Sequence, residues 1–526
     1  MKVAAHLRGT LDTGQLRVVV AVAVAAVMVL TLDGSFNFVL DAMVGDLDAS
    51  SAQTSLIRQV PSVAALLVIF LAGTLGVRLG ERRVMLACTV LYAVGGVVVA
   101  IAPVFEVVTL GLLLAEVGRS VLIVVGLAFI SSEVKDKDGR ATAFAAFAAV
   151  LPATFLVMPL VAGVILEYSS WRWVAVVWAI SGVVGTVALG RLLPRRRDHR
   201  STTGEMLTPA LAGLLLAAIV QVITVVPSQG LSGRVWLTVL IGVGAAASLV
   251  VALRRLPHPT LSLAPLRNGG LVLLLVVLVL TMFANLWFYM TMGLQYIFGL
   301  DSIEVALVTV PAQVLSIVGS GLAGSFIKRR GIAVAGTVLL VGVAIGLFAT
   351  SLIRLGTPVW VCVLMLAVYS AAAVGASVAL TNAVMDLAPD GEEGSASSYR
   401  GAALNLGSAI GVAGMTTIVF LAVSGSLEQQ SEAAGIDPST SSVIAADMRD
   451  GSTSEDVSAL YAVPVAEVEQ ITEMQTRAFL EGLHAHGLVG GAVTMVAAGM
   501  FFVVRRREEI RAGDAVPGAL RSDPQA

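Results

Sequence analysis

The chain has 526 residues, 57% hydrophobic and 13% charged, with a mean hydropathy of +0.91. Soluble domains carry about 25% charged residues, so this apolar surplus exceeds what one soluble core hides and is expected to face lipid. A net charge of −2 and a pI of about 6.2 exclude a basic nucleic-acid footprint, and two cysteines, Cys88 and Cys362, both within apolar runs, exclude a disulfide framework.

Residues 1–17 form a polar N-terminal segment with a few positive charges. The apolar run from Val18 is too long for a signal-peptide core and has no small-residue cleavage site, so it reads as a retained first span. A helix crosses the hydrocarbon with about 20 apolar residues. Fourteen runs qualify, at 18–43, 55–77, 84–104, 107–131, 141–166, 171–193, 207–226, 234–253, 269–294, 302–327, 332–353, 358–386, 400–424 and 481–504. They are called spans 1 to 14 below. The expectation is an all-α polytopic membrane protein.

Between spans 2 and 3 lies Gly73-Thr74-Leu75-Gly76-Val77-Arg78-Leu79-Gly80-Glu81-Arg82-Arg83. Its pattern recurs between spans 10 and 11, where Gly324, Arg329 and Gly331 match Gly73, Arg78 and Gly80. Each copy has a proline upstream, Pro61 and Pro311. Glycine permits a tight turn and close backbone approach. A hinge repeated in two halves of a membrane protein points to a transporter built from repeats.

Charge supports this count. With the N-terminus inside, the even-numbered connections carry the basic residues: Arg78, Arg82 and Arg83; Lys135, Lys137 and Arg140; Arg191 to Arg200; Arg254, Arg255 and Arg267; Lys328 to Arg330; and Arg400. The odd-numbered connections hold chiefly Arg172, Arg234 and Arg354. Basic loops stay on the cytoplasmic side, which predicts both termini inside. Residues 425–478 are polar and expected outside, as an extended loop or small cap, with short amphipathic helices at Val457–Tyr461 and Val465–Met474. The organisation expected is residues 1–17, a bundle at 18–193, two inserted helices with linkers at 194–268, a second bundle at 269–504, and a cytoplasmic tail at 505–526.

An ionisable side chain at mid-membrane costs at least about 2.5–3.5 kcal/mol, so each one marks a candidate. Asp33 lies well into span 1, and Glu116 and Arg119 lie mid-span 4. Arg58 and Asp41 lie near outer ends. A carboxyl in a low-dielectric cavity exchanges protons nearer neutral pH, which makes Asp33 the first candidate for proton coupling. A fixed pairing of Asp33 with Arg58 or Arg119 that only orients helices stays open. Glu116 and Arg119, three apart, share a helix face. They form either an intrahelical ion pair or a partner set that holds Asp33 when it is ionised. Candidate substrate contacts are Asn37, Asn285, Gln295 and Asn405, with the rings Trp287 and Tyr289. For each, helix packing through an interhelical hydrogen bond is equally open. No enzyme signature, no metal-ligand cluster and no Walker-type phosphate loop is present, so no cofactor is expected.

The repeated hinge, alternating positive loops and even span count resemble the major facilitator superfamily. The nearer likeness is to its fourteen-helix drug:proton antiporter branch. That likeness is carried by Leu32-Asp33-Gly34-Ser35-Phe36-Asn37, Pro257-His258-Pro259 through Leu266-Arg267-Asn268, Leu294-Gln295-Tyr296 with Gly299-Leu300, and Gly394-Ser395-Ala396 leading to Gly407-Ser408-Ala409-Ile410-Gly411. The resemblance implies two six-helix bundles, spans 1–6 and 9–14, with spans 7 and 8 inserted. Substrate would sit between the bundles at mid-membrane, and the bundles would rock. Gly73, Arg78, Gly80, Gly324, Arg329 and Gly331 would act at the cytoplasmic gate. The branch's helix-5 motif reads here as Met158-Pro159-Leu160-Val161-Ala162-Gly163, which adds Pro159 and Gly163. Val77 stands where the family pattern has an Asp, which removes that residue's charge pairing.

The function expected is proton-coupled export of small hydrophobic or amphipathic compounds by alternating access. The protein would be a monomer in the plasma membrane, with the bilayer, small molecules and protons as partners. A narrow-substrate transporter (natural product, lipid or amino acid) and a non-transporting sensor or scaffold remain as alternatives.

Overall fold

The computed structural model describes residues 12–47, 51–193, 205–256, 259–300, 302–449 and 453–514. Among these, every regular element is a helix. Lipid offers no hydrogen bonds, so each span satisfies its own backbone. The described residues contain 13 continuous membrane-length segments. One of them, the 49-residue Glu304–Leu352, holds two spans parted at Gly331, whose φ is 79°. The fourteen spans are therefore present.

Span 1 is Thr13–Asp46, span 2 Ser51–Leu79, span 3 Glu81–Ala100 and span 4 Phe105–Glu133. Span 5 is broken at Ala149 into Lys137–Ala148 and Val150–Tyr168, and span 6 is Trp171–Leu192. Spans 7 and 8 are Leu207–Gln229 and Gly233–Arg255. Span 9 is interrupted at Ala284 and Asn285, between Gly269–Phe283 and Leu286–Tyr296. Spans 10 and 11 share Val310–Ala349, preceded by Ser302–Val308; span 12 is Val359–Asp386.

The structure changes three expectations. Arg400 does not lie in a connection. Span 13 runs Glu393–Ala434, which puts Arg400 two turns inside the helix. Span 13 ends at Ala434 and span 14 runs Val465–Asp514, so 425–434 and 465–478 are continuations of these two helices past their apolar runs. The predicted helix at Val465–Met474 is the start of span 14. Between the two extensions, Pro438–Arg449 and Ser454–Tyr461 close a cap around Leu427, Ile444, Val457, Val468 and Ile471, which form a small core of their own.

One core joins spans 1–6, with Trp178, Tyr92 and Phe144 fully buried, and continues into span 7 at Leu216, span 10 at Ile327 and span 12 at Met385; a second joins spans 9–14. The inserted pair is not a tether between them. Span 7 packs against span 2 and span 13, and Gln221 Nε2 donates to Gln59 Oε1 at 3.2 Å. Span 8 packs on span 7 and leaves Trp236, Leu237 and Leu240 exposed, as a lipid-facing helix does.

At the face opposite the basic loops, a clasp joins span 1 to span 6. Asp46 accepts from Arg172 Nη1 at 2.6 Å and from the Trp171 indole N–H at 3.1 Å. These bonds, with that from Arg172 leading, hold the Asp46 carboxyl below its usual range. The clasp thus keeps its charge through the ordinary carboxylate range and weakens only as pH falls below it.

Candidate functional site

Span 1 is turned by its small hydroxyl residues. Thr31 Oγ1 lies 2.9 Å from the Tyr92 hydroxyl and 3.0 Å from Ser181 Oγ. Ser35 Oγ accepts from the Trp178 indole N–H at 2.8 Å. Thr31 and Ser35 share a face four residues apart and fasten it to spans 3 and 6. Asp33, midway between them, therefore points the other way, toward span 4.

There it meets Arg119. Arg119 Nη1 stands 3.2 Å from Asp33 Oδ2, and Arg119 Nε donates to Glu116 Oε2 at 2.8 Å. Nη2 of the same guanidinium contacts the other Glu116 oxygen. The structure brings Asp33, Glu116 and Arg119 into one cluster. The intrahelical pair and the helix-to-helix pair, which the sequence leaves as separate readings, coexist on one guanidinium. Asp33 keeps 28% of its side chain exposed and Arg119 20%, so the pair is reachable from the adjoining space.

That space is a cleft of about 520 Å³ between the bundles. Gln59 and Ile69 line it from span 2, Glu116 and Arg119 from span 4, Val220 and Gln221 from span 7, and Arg400 and Asn405 from span 13. Asn405 spends its amide on the Gly401 carbonyl at 2.9 Å.

Toward the basic loops the bundles meet. A Cβ on Gly73 of span 2 would lie 2.6 Å from the carbonyl oxygen of Gly394 of span 13, which is closer than any side chain allows. Gly324 of span 10 faces Ala145 of span 5. Ser397 Oγ donates to the Val124 carbonyl at 2.8 Å across the same seam. The seam is charge-locked. Asp386, at the end of span 12, accepts from Arg140 of span 5 at 2.7 Å and from Arg505 of span 14 at 2.8 Å. Lys135 and Glu393 add an exposed pair at 3.3 Å. Gly73→Ala is accordingly expected to wedge this seam apart. The measurement is accessibility of a cysteine placed at Ser398 to a water-soluble maleimide; labelling no faster than in the Gly73 protein would contradict the close-approach argument.

The remaining candidates are dispersed. Gly80 (φ 84°) and Gly331 (φ 79°) make the turns that end the two hinge copies. Arg78 lines a hollow at the basic face with Arg267 and Glu392, and Arg329 is exposed. Pro159 sits within the second half of span 5, and Gly163 is exposed with no neighbour within 4 Å of a built Cβ among the described residues. Asn285 caps the second half of span 9, accepting from Trp287 N–H at 3.1 Å. Trp287 packs on the second core. Tyr289 is buried at 7% exposure, bonds Thr416 at 3.2 Å and stacks on His486 at 4.3 Å. It lines a separate cavity of about 610 Å³ beneath the cap, as Tyr296 does. Gln295 lies on that half-helix. The Asn37 side chain, with those of Asp41, Arg58 and Val77, lies outside the described residues.

Four charged residues of this site escape the sequence reading. Arg140 and Arg505 look like ordinary loop charges, Asp386 like a span end, and Arg400 like a connection. The one available signal was the placement of Arg400 beside Gly401 at the head of an apolar run.

Comparison with known proteins follows this geometry. The family model described as the Major Facilitator Superfamily matches residues 22–412. The chain is 25% identical over 502 residues to the multidrug efflux pump LfrA of Mycolicibacterium smegmatis, covering 93% of this chain and 96% of that one. It is 23% identical over 454 residues to the methyl viologen resistance protein SmvA of Salmonella typhimurium, covering 83% and 87%. In fold it resembles the human organic anion transporter MFSD10 (TETRAN), with a TM-score of 0.59 at 16% identity over 93% of this chain and 99% of that one.

Proposed function

The chain belongs to the major facilitator superfamily, and on that premise we propose that it exports small hydrophobic or amphipathic compounds across the plasma membrane in exchange for protons. It is a multi-pass membrane transporter and not an enzyme. The similarity to multidrug efflux proteins over nearly the whole chain supports export. The observation that carries proton coupling is the Asp33–Arg119–Glu116 cluster, in which Arg119 and Glu116 line the inter-bundle cleft and Arg119 reaches Asp33 behind them.

In this reading the basic face is cytoplasmic and holds both termini. The seam there is shut, so the form described is outward-facing. Ionised Asp33 holds Arg119 from span 1 while Glu116 holds it from within span 4. Protonation of Asp33 cancels one of the two attractions. An ion pair at 4 Å is worth about 4 kcal/mol at an effective dielectric of 20, enough to shift a two-state equilibrium by about a thousandfold. The proton thereby biases the rocking of the bundles. The working unit in this reading is a monomer.

The test is transport of a lipophilic dye by purified protein in liposomes with an imposed pH gradient. Asp33→Asn is expected to abolish gradient-driven accumulation while retaining dye exchange at equal pH. Undiminished gradient-driven transport by Asp33→Asn overturns the coupling role.

A further inference from the structure

The cleft holds two arginines in different states. Arg119 is saturated by carboxylates, as described. Arg400, contributed by the other bundle, has no carboxylate partner among the described residues. Its Nε donates to Thr381 Oγ1 at 3.1 Å, and the residue lines the cleft. A guanidinium inside a membrane span is costly when left uncompensated. Its planar fork matches a carboxylate or sulfonate in two parallel hydrogen bonds. Apolar side chains share the cleft with it, Leu404 beside it and Ile69, Val124 and Leu127 across, while Glu116, the lining carboxylate, is held by Arg119. Ser397, one turn before it, pins span 13 to span 4 at the closed seam, so Arg400 stands on the cleft floor.

From this we infer that Arg400 anchors an anionic group of the transported compound, making carboxylate- or sulfonate-bearing amphiphiles a substrate class of this protein. The apolar walls take the body of the molecule and the guanidinium takes its head. Charge recognition by span 13 is then separate from proton handling by spans 1 and 4, on the opposite bundle. The inference rests on the transporter reading of the cleft.

It is tested by binding, so that its failure is distinguishable from failure of export. The probe is 11-(dansylamino)undecanoic acid, paired with its methyl ester, which has the same body and no charge. Protein in lipid nanodiscs is titrated by tryptophan-to-dansyl energy transfer, with empty nanodiscs as the blank. The native protein is expected to hold the acid about 10- to 100-fold more tightly than the ester, the range for a hydrogen bond to a charged group. Arg400→Gln is expected to remove that difference and leave ester binding unchanged, and Arg400→Lys to restore part of it. Equal binding of acid and ester by the native protein, or undiminished discrimination by Arg400→Gln, overturns the assignment. Should Arg400→Gln fail to fold, competition on the native protein decides. Undecanesulfonate is expected to displace the acid and undecanol to leave it bound, and equal displacement by both overturns the assignment. A native protein that discriminates acid from ester but moves neither across liposomes upholds the subsite and removes the export function.

Discussion

Asp386→Asn is expected to open the basic face. The substitution strips the carboxylate that Arg140 and Arg505 share, and the three side chains, Asp386 first, are 12%, 11% and 5% exposed. Removing one partner of a buried ion pair costs about 3–5 kcal/mol because a desolvated charge is left behind. Only the Arg140 arm crosses between the bundles, since Asp386 and Arg505 both belong to the second, so about half of that energy falls on the equilibrium between the closed and open forms. A shift of about 10- to 70-fold follows. Spin labels on cysteines at the exposed positions Arg83 and Arg329, one per bundle, report the result by pulsed electron resonance. The inter-label distance should lengthen. Glu393→Gln is the contrast: its partner Lys135 is 68% exposed, such surface pairs are worth about 0–1 kcal/mol, and the distance should stay as it is. An unchanged distribution in Asp386→Asn removes Asp386 from the gate.

Arg119→Gln should be the most damaging single change in the cleft. It leaves the carboxyls of Asp33 and Glu116 facing each other inside the membrane without a cation. Their exposures of 28% and 13% admit some water, which places the loss near the lower end of the range, about 3 kcal/mol. Both the melting temperature and gradient-driven transport are expected to fall. The double variant Glu116→Gln with Arg119→Gln separates the two effects. Removing the second unpaired charge should recover much of the melting temperature, since the residues share one network. Transport should stay uncoupled, because Asp33 has lost the group it holds. Coupled transport by Arg119→Gln at the native rate would leave the cluster a purely structural pairing.

The missing hinge acid shows how sequence and structure divide. Val77 occupies the position where the family pattern has an Asp, and from sequence this reads as the loss of a gating charge. In the fold, the carboxylate at the seam comes from Asp386, over 300 residues along the chain, and it collects Arg140 and Arg505 from two other spans. Nothing in the local pattern around Val77 points there.

Local features were readable directly. Apolar runs of membrane length, the alternation of basic connections, the two hinge copies with their positive-φ glycines, and the pairing of Glu116 with Arg119 all depend on residues close in the chain. Helix formation, membrane insertion and same-face spacing are themselves short-range, so the sequence by itself determined the fourteen spans and the candidate carboxylates. The tertiary structure decided what no spacing encodes. It set span 7 as a wall of the cleft, separated Tyr289 from Asp33, and put Arg400 on the cleft floor. Each of these depends on which helix faces pack across tens or hundreds of residues, and in lipid that choice is made by close fit and by pairing of the few charges, not by the apolar pattern that all the spans share.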